Sequence, residues 1–195
     1  MAVKLPNNAI LYLPELLTLL NNEPNPLSQR DYMYQYYNKD AMHSKAIQTF
    51  MELMIHPDIE WQVPSGKPPY SPTSGFIGNS PSNLFITFKE VSRFLTGGRG
   101  FIQDKTKREI RFIQVLESLS LGEAELLIQI KDKELTQYPN IDMKVFVEAF
   151  PEFLPEEVVK DFLEQWTPKD SSGTPLKELK EPTRPRGRPK AESKT

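Results

Sequence analysis

The chain has 195 residues, 38% of them hydrophobic, and a formal net charge of −2, which suits one domain with a real core plus tails. It contains no cysteine, which excludes disulfide bonds, thiol catalysis and Cys-ligated zinc. No apolar run approaches the ~18 residues that span a bilayer, and the N-terminus lacks the long apolar stretch of a secretory signal, so we expect a soluble, intracellular protein.

The charges are distributed unevenly along the chain. Residues 1–165 carry 16 Lys and Arg against 22 Asp and Glu, residues 166–181 carry three of each, and residues 182–195 carry five against one. The first part therefore has a net charge of −6 and the last part has +4. An acidic body with a basic tail is expected when the tail alone meets a polyanion.

The spacing of apolar residues predicts helices from the start of the chain. Leu11–Leu20 carries leucines on one stripe and reads as a short helix. The turn residues at 21–26 end it. Either Ser28 or Asp31 is predicted to cap the helix that follows.

The second helix is predicted to run through residues 32–37, and the same pattern allows it to continue as far as Met54. His56 precedes a proline, which disfavours the helical backbone and predicts a stop. Residues 57–80 are rich in proline and glycine and read as a loop. A loop of this length is either functional or packed as an ordered excursion.

Further helices are predicted after this loop. Ser80-Pro81 is a good helix start, and the apolar face would run through residues 84–95 to an end at Gly97-Gly98. Asp104 is the predicted cap of the next helix. Its apolar positions are Ile110, Phe112, Ile113, Val115, Leu116 and Leu119.

Three more helices complete the predicted fold. Gly122–Ile130 reads as a short helix, Asp142 starts another that is halted by Pro151, and Pro155-Glu156-Glu157 opens the last, which reaches Trp166. No segment alternates convincingly between apolar and polar residues. We therefore predict an all-α fold, with a single compact multi-helix domain over residues 8–166 and the long internal loop within it.

The remaining segment, residues 167–195, is rich in Lys, Glu, Pro and Ser. It cannot bury enough apolar surface to offset the entropy of ordering, so we expect a disordered tail. Within it, Thr183-Arg184-Pro185-Arg186-Gly187-Arg188-Pro189-Lys190 resembles the AT-hook of chromosomal high-mobility-group proteins. The Arg-Gly-Arg-Pro core is matched at residues 186–189, and Pro185 and Lys190 fit the flanks.

The same residues have a physical case for binding A·T-rich DNA. A·T tracts have a narrow, strongly negative minor groove that attracts arginine. Gly187 has no Cβ, so its backbone can approach the groove floor while Arg186 and Arg188 extend along it. Pro185 and Pro189 favour an extended path. The guanine amino group would obstruct this fit, and Arg184, Lys190 and Lys194 would contact phosphates.

Several other features have a functional and a structural interpretation, and the structural one is favoured for each. Gly97–Gly100 lacks the Lys-Ser/Thr ending of a phosphate loop and suits a turn. The tyrosines at 32, 34, 36 and 37 could stack on bases but have the spacing of core residues. Pro68–Pro72 could be a polyproline ligand or an ordered loop. His43 and His56 are the only histidines, and we see no Glu/His pair at metal-ligand spacing.

Parts of the helical region are similar to an uncharacterised family of large tailed-bacteriophage proteins, with myovirus and cyanophage members. The similarity covers about residues 40–155 and implies a phage origin, without a function or catalytic residues. The segments that carry it are Lys67–Pro72, Gly78–Phe85, Phe112–Leu119, Glu123–Leu127 with Lys131–Lys133, and Glu148–Pro151.

These observations predict a non-enzymatic phage protein that binds A·T-rich double-stranded DNA without a cofactor or metal. It would act in the cytoplasm of an infected bacterial host, with the nucleoid as one setting. The helical domain would supply self-association or a host or phage protein partner. Two alternatives remain open: a protein–protein adaptor and a virion-associated structural protein, each with the basic tail as a solvated anchor. The predicted DNA-binding residues are Arg184, Pro185, Arg186, Gly187, Arg188, Pro189 and Lys190.

Overall fold

The computed structural model describes residues 11–71 and 80–166, and the helices within these ranges confirm the predicted all-α fold. Two 3-10 helices cover Val91–Phe94 and Pro151–Phe153. No helix in these ranges is long and apolar enough to cross a membrane. The predicted disordered tail, residues 167–195, lies outside the described residues. The α-helices are α1 (Leu13–Asn22), α2 (Pro26–Tyr37), α3 (Ala41–Ile55), α4 (Leu84–Thr87), α5 (Lys105–Ser118), α6 (Leu121–Asp132), α7 (Met143–Ala149) and α8 (Glu156–Trp166).

Side-chain caps begin five of these helices, and two of the caps were predicted. The Asp104 carboxylate accepts the backbone N–H of Lys107 at 2.8 Å at the start of α5. The Asp142 carboxylate accepts the N–H of Lys144 at the same distance at the start of α7. Each carboxylate satisfies an N–H that has no partner inside its helix, and each lies at the positive end of the helix dipole.

The start of α2 lies before either predicted cap. Asn25 Oδ1 accepts the N–H of Leu27 at 3.0 Å, and Pro26 occupies the first helical position. Ser28 and Asp31 therefore lie inside the helix, and the prediction was wrong. Proline is well tolerated at the first position because its missing N–H would have no helical partner there.

Residues 32–54 form two helices rather than one. Asp40 separates α2 from α3, because its carboxylate accepts the N–H groups of Met42 at 2.8 Å and His43 at 3.0 Å. This local pairing competes with continued helical winding. The stop predicted at His56-Pro57 is confirmed, since α3 ends at Ile55.

The segment after residue 80 is less helical than predicted. Asn83, not Ser80-Pro81, caps the helix, with its Oδ1 atom accepting the N–H of Ile86 at 3.1 Å. After Thr87 the chain passes through a turn into the 3-10 helix, instead of continuing as one α-helix to Gly97-Gly98. The β-branched residues 86, 87 and 91 lower the preference for a longer α-helix here.

One hydrophobic core joins the helices. α2 packs against α1, α3 and α7, and α3 also packs against α4 and α6. Burying a large apolar side chain contributes about 1.5–3 kcal/mol relative to leaving it exposed. The large side chains that are fully buried in this core include Leu16, Leu17, Met33, Tyr36, Ile47, Phe50, Phe94, Phe146 and Phe150.

Two residues on the predicted apolar face of α5, Ile110 and the half-buried Ile113, lie outside the core. Ile110 is 51% exposed, whereas Phe112, Val115 and Leu116 are buried. The apolar stripe of α5 is therefore narrower than the sequence pattern suggested. Leu119, the last residue of that pattern, is buried just beyond the end of the helix.

Residues 57–71 pack as an ordered excursion that two buried cations hold in place. Arg108 Nε donates to the carbonyl of Gln62 at 2.7 Å, and Lys131 Nζ donates to the carbonyl of Pro64 at 2.9 Å. A single antiparallel β-bridge between Trp61 and Leu95 adds a further link. Buried cations that donate to backbone carbonyls offset part of their own desolvation cost, and they fix the loop against α5 and α6.

Candidate functional site

The predicted DNA-contacting residues cannot be placed in this fold. Arg184, Pro185, Arg186, Gly187, Arg188, Pro189 and Lys190 all lie outside the described residues. The AT-hook-like motif therefore stays a prediction, carried by its residue types and their order. The helical region, by contrast, contains a well-defined surface feature.

An apolar groove of about 450 Å³ opens between α3 and the segment that contains α4. We call it the α3–α4 groove. The ring of Tyr12 stacks on Phe85 in this groove, with 5.7 Å between their centroids. Met42 and Ile86 leave 55% and 51% of their surface exposed. The groove is lined by Tyr12, Ala41, Met42, Lys45, Ala46, Thr49, Asn83, Phe85, Ile86, Phe88 and Lys89.

Among the described residues that line the α3–α4 groove, only Lys45 and Lys89 are charged. Both side chains are exposed. Lys45 Nζ lies 3.3 Å from Gln48 Oε1, and neither lysine forms an ion pair with a described carboxylate. A patch that is apolar and positive therefore lies on a body whose first 165 residues carry a net charge of −6.

His43 lies beneath this groove and has a structural role. Its ring is buried, with Nδ1 at 2.8 Å from Asp40 Oδ1 and Nε2 at 2.9 Å from the carbonyl oxygen of Leu11. The ring also packs edge-on against Tyr36 and at a tilt against Phe85. The imidazole thus joins the beginning of α3 to the chain just before α1. Its hydrogen bond to Asp40 is the main reason that the pKa of that carboxyl lies below its ordinary value.

Glu123 positions the α4 side of the groove, where Asn83 and Phe85 line it on either side of Leu84. Its carboxylate is fully buried, accepting the N–H of Leu84 at 2.9 Å and the hydroxyl of Ser120 at 2.8 Å. Burial raises the pKa of Glu123. Glu123 was not among the site residues predicted from the sequence. The spacing Ser120-x-x-Glu123 is a capping-box signal, and it could have shown that the carboxylate turns back toward the chain.

The tyrosines of α2 pack within the protein, as their spacing predicted. Tyr36 is fully buried, and Tyr34 donates from its hydroxyl to the carbonyl of Ala149 at 3.0 Å. The rings of Tyr34 and Tyr37 both lie 5.2 Å from that of Phe150. The rings of Tyr34 and Tyr37 therefore pack on Phe150 in the helix interface, although Tyr34 leaves 38% of its surface exposed.

The two glycine- and proline-containing candidates are also structural. Gly97 has a φ of 68°, and the N–H of Gly98 donates to the carbonyl of Leu95 at 3.0 Å, which makes this segment a turn. Within residues 68–71, Ser71 donates its N–H to Glu117 at 3.2 Å, and the Tyr70 ring packs on the core. This part of the Pro68–Pro72 stretch is an ordered loop. In residues 11–71 and 80–166, no three His, Asp or Glu side chains cluster as a metal site would require.

Comparison with known families identifies a family that covers much of the chain. Residues 29–137 match the model of DUF6433, a family of unknown function. The matched range includes all of α3, α4, α5 and α6, and with them most of the α3–α4 groove. No curated protein and no solved structure matches the chain.

Proposed function

The chain belongs to the DUF6433 family of unknown function. From its own residues we propose that it is a non-enzymatic protein that binds the minor groove of A·T-rich DNA. The observation that carries this proposal is the order Pro-Arg-Gly-Arg-Pro at 185–189. Basic residues alone would fit any polyanion. Two arginines around a glycine and between two prolines fit a narrow groove specifically, since the glycine admits the backbone and the prolines limit the cost of ordering it.

The distribution of charge supports the assignment of DNA contact to the tail. Residues 1–165 would repel a phosphate backbone as a whole, whereas residues 182–195 would attract it. Arg184, Lys190 and Lys194 add phosphate contacts beside the motif, and such contacts raise affinity without reading sequence.

A single motif of this size makes few contacts, so useful affinity requires a second contribution. The helical region would provide it by binding a partner or a second copy, and the α3–α4 groove is the described surface suited to such a role. The resemblance to tailed-phage proteins suggests a setting in the cytoplasm of an infected bacterium. The phage genome, the host nucleoid and the transcription machinery are the settings in which A·T-rich duplexes would be met.

The proposal is tested by fluorescence anisotropy of the full-length chain on an A·T-rich and a G·C-rich duplex at one fixed salt concentration. The chain should prefer the A·T duplex, and Arg186→Ala combined with Arg188→Ala should abolish the preference. The matched control is Lys177→Ala combined with Lys180→Ala, which removes the same charge from the segment before the motif. Equal weakening by both pairs would show that only charge matters and would overturn the proposal.

A protein–protein adaptor is the second candidate function, and the exposed apolar groove favours it. In an adaptor the tail would be a solvated anchor, so deletion of residues 182–195 would leave the biological interaction intact. In the DNA-binding protein the same deletion would remove the interaction with A·T-rich duplexes. This one variant therefore discriminates between the two functions.

A further inference from the structure

The α3–α4 groove is both apolar and positively charged, although residues 1–165 carry a net charge of −6. Its floor is aromatic and aliphatic, and the only charged groups on its described lining residues are the ammonium groups of Lys45 and Lys89. We propose that this groove binds an acidic amphipathic helix of a partner protein, with apolar side chains in the groove and carboxylates against the two lysines. This inference goes beyond the DNA-binding function and does not depend on it.

Charge complementarity is the first argument for this occupant. Lys45 lies on α3 and Lys89 just after α4, so the lysines stand on the two elements that border the groove. Neither is paired with a described carboxylate. A helix with Asp or Glu beside its apolar stripe would find a positive group on each side. A basic or neutral partner would leave both lysines without counter-ions.

The residues that line the groove favour the apolar face of a helix as the ligand rather than a small molecule. Small-molecule sites of this volume are mostly apolar, but a small number of precisely placed polar groups orient the ligand. Here the polar contribution is small, and the Oδ1 atom of Asn83 is occupied by the N–H of Ile86. Met42 and Ile86 project with more than half of their surface exposed. Such exposed, adaptable apolar side chains suit the face of a docked helix.

A second copy of the chain fits the groove less well than a separate acidic partner. The described helix with the most acidic start is α8, and its apolar residues Val158, Val159, Phe162 and Leu163 already pack against the core of the same chain. Offering that face to another copy would require α8 to leave its own core. Self-association is therefore an outcome that the test must separate from partner binding.

The experiment measures binding of a labelled helical peptide of about 18 residues, or five turns, to the full-length chain at low salt. The acidic peptide carries leucines at three- and four-residue spacing, with glutamates flanking that stripe. A basic peptide has lysines in place of the glutamates. The acidic peptide should bind, and Lys45→Glu with Lys89→Glu should weaken it about tenfold. The same double variant should gain affinity for the basic peptide.

The chain offers matched controls for both parts of the groove. Ile86→Ser should weaken the acidic peptide about tenfold, whereas Ile110→Ser, which alters an equally exposed isoleucine outside the groove, should leave binding unchanged. Lys105→Glu with Lys160→Glu changes the net charge by the same amount outside the groove and should have little effect. Both lysines of this control pair are largely exposed.

Three results would overturn the proposal. The first is equal weakening by the groove variants and their controls. The second is failure of the acidic peptide to bind while dodecanoate binds in an Ile86-dependent manner, which would make the groove a site for small apolar anions. The third is self-association in sedimentation that Ile86→Ser abolishes. Arg186→Ala with Arg188→Ala changes no residue of the described groove lining, so failure of the DNA-binding function and failure of groove binding are measured separately.

Discussion

The Oε1 atom of Glu123 accepts a hydrogen bond from the backbone N–H of Leu84 at 2.9 Å, so a carboxylate at the start of α6 holds the start of α4. The same carboxylate accepts the hydroxyl of Ser120. Because Asn83 and Phe85 line the α3–α4 groove on either side of Leu84, the position of that wall depends on one buried acid from another helix.

Removal of this carboxylate should destabilise the fold. In Glu123→Ala, the N–H of Leu84 would lose its side-chain acceptor in a buried environment, and we expect the free energy of unfolding to fall by about 2–3 kcal/mol. Glu156→Ala is the matched control, because Glu156 is also in the first turn of a helix but is exposed. Glu156→Ala should lower the free energy of unfolding by at most about 1 kcal/mol. Urea unfolding of both variants measures the difference, and equal costs would contradict the account.

The protonation of Glu123 should also give the chain a characteristic pH dependence. Its pKa is raised from the ordinary value of 4.5 by burial, so the folded chain holds this proton more tightly than the unfolded chain. The contribution of Glu123 to the free energy of unfolding is therefore fully present below pH 4.5. It declines as the pH rises through the raised pKa of Glu123 in the folded chain.

Glu123→Gln isolates this contribution, since glutamine can still accept the N–H of Leu84 but does not titrate. The stability of the parent relative to Glu123→Gln should be greatest near pH 4 and should decrease toward neutral pH. Asp40 and Glu90 have lowered pKa values, so their contributions to stability change with pH in the opposite direction. These contributions are the same in the parent and in Glu123→Gln, and they cancel when the two are compared. A difference that grows as the pH rises would show that Glu123 is stabilised as the charged form.

Much of the helical fold could be predicted because its signals are local. Asp104 and Asp142 are caps that act on residues two or three positions ahead, and a sequence displays such pairs directly. The separation of α2 from α3 at Asp40 was left open because the apolar spacing continues across it. The exposure of Ile110 was not predicted, because it depends on which elements cover α5.

The groove could not be predicted at all, since it depends on contacts between distant residues. Tyr12 and Phe85 are far apart in sequence yet stack across the groove, and Glu123 positions Leu84 from a third segment. The tail motif is the opposite case. Its meaning depends on neighbouring residues only, so the sequence predicts it without any knowledge of the fold.

Gly98 is a position that only glycine can occupy. A Cβ at this residue would lie 1.9 Å from the carbonyl oxygen of Ser92, a backbone atom that cannot move without disturbing the 3-10 helix. Gly98→Ala should therefore lower the free energy of unfolding by about 2–4 kcal/mol. Gly97 has a φ of 68° and open space around its Cβ position, and asparagine adopts such a φ readily.

Gly97→Asn is accordingly the control for this prediction, and it should change stability by no more than about 1 kcal/mol. Thermal unfolding followed by circular dichroism compares the two variants directly. A mild effect of Gly98→Ala, close to that of the control, would show that the turn after Phe94 can shift to accommodate a side chain.

The central claim is that residues 183–190 bind in the minor groove, and a duplex of inosine–cytosine pairs tests it most directly. Inosine lacks the guanine amino group, so this duplex presents a G·C-like major groove together with an A·T-like minor groove. We predict that the full-length chain binds the inosine–cytosine duplex nearly as well as the A·T-rich duplex and better than the G·C-rich duplex, at one salt concentration. Binding to inosine–cytosine that is as weak as binding to G·C would contradict the claim.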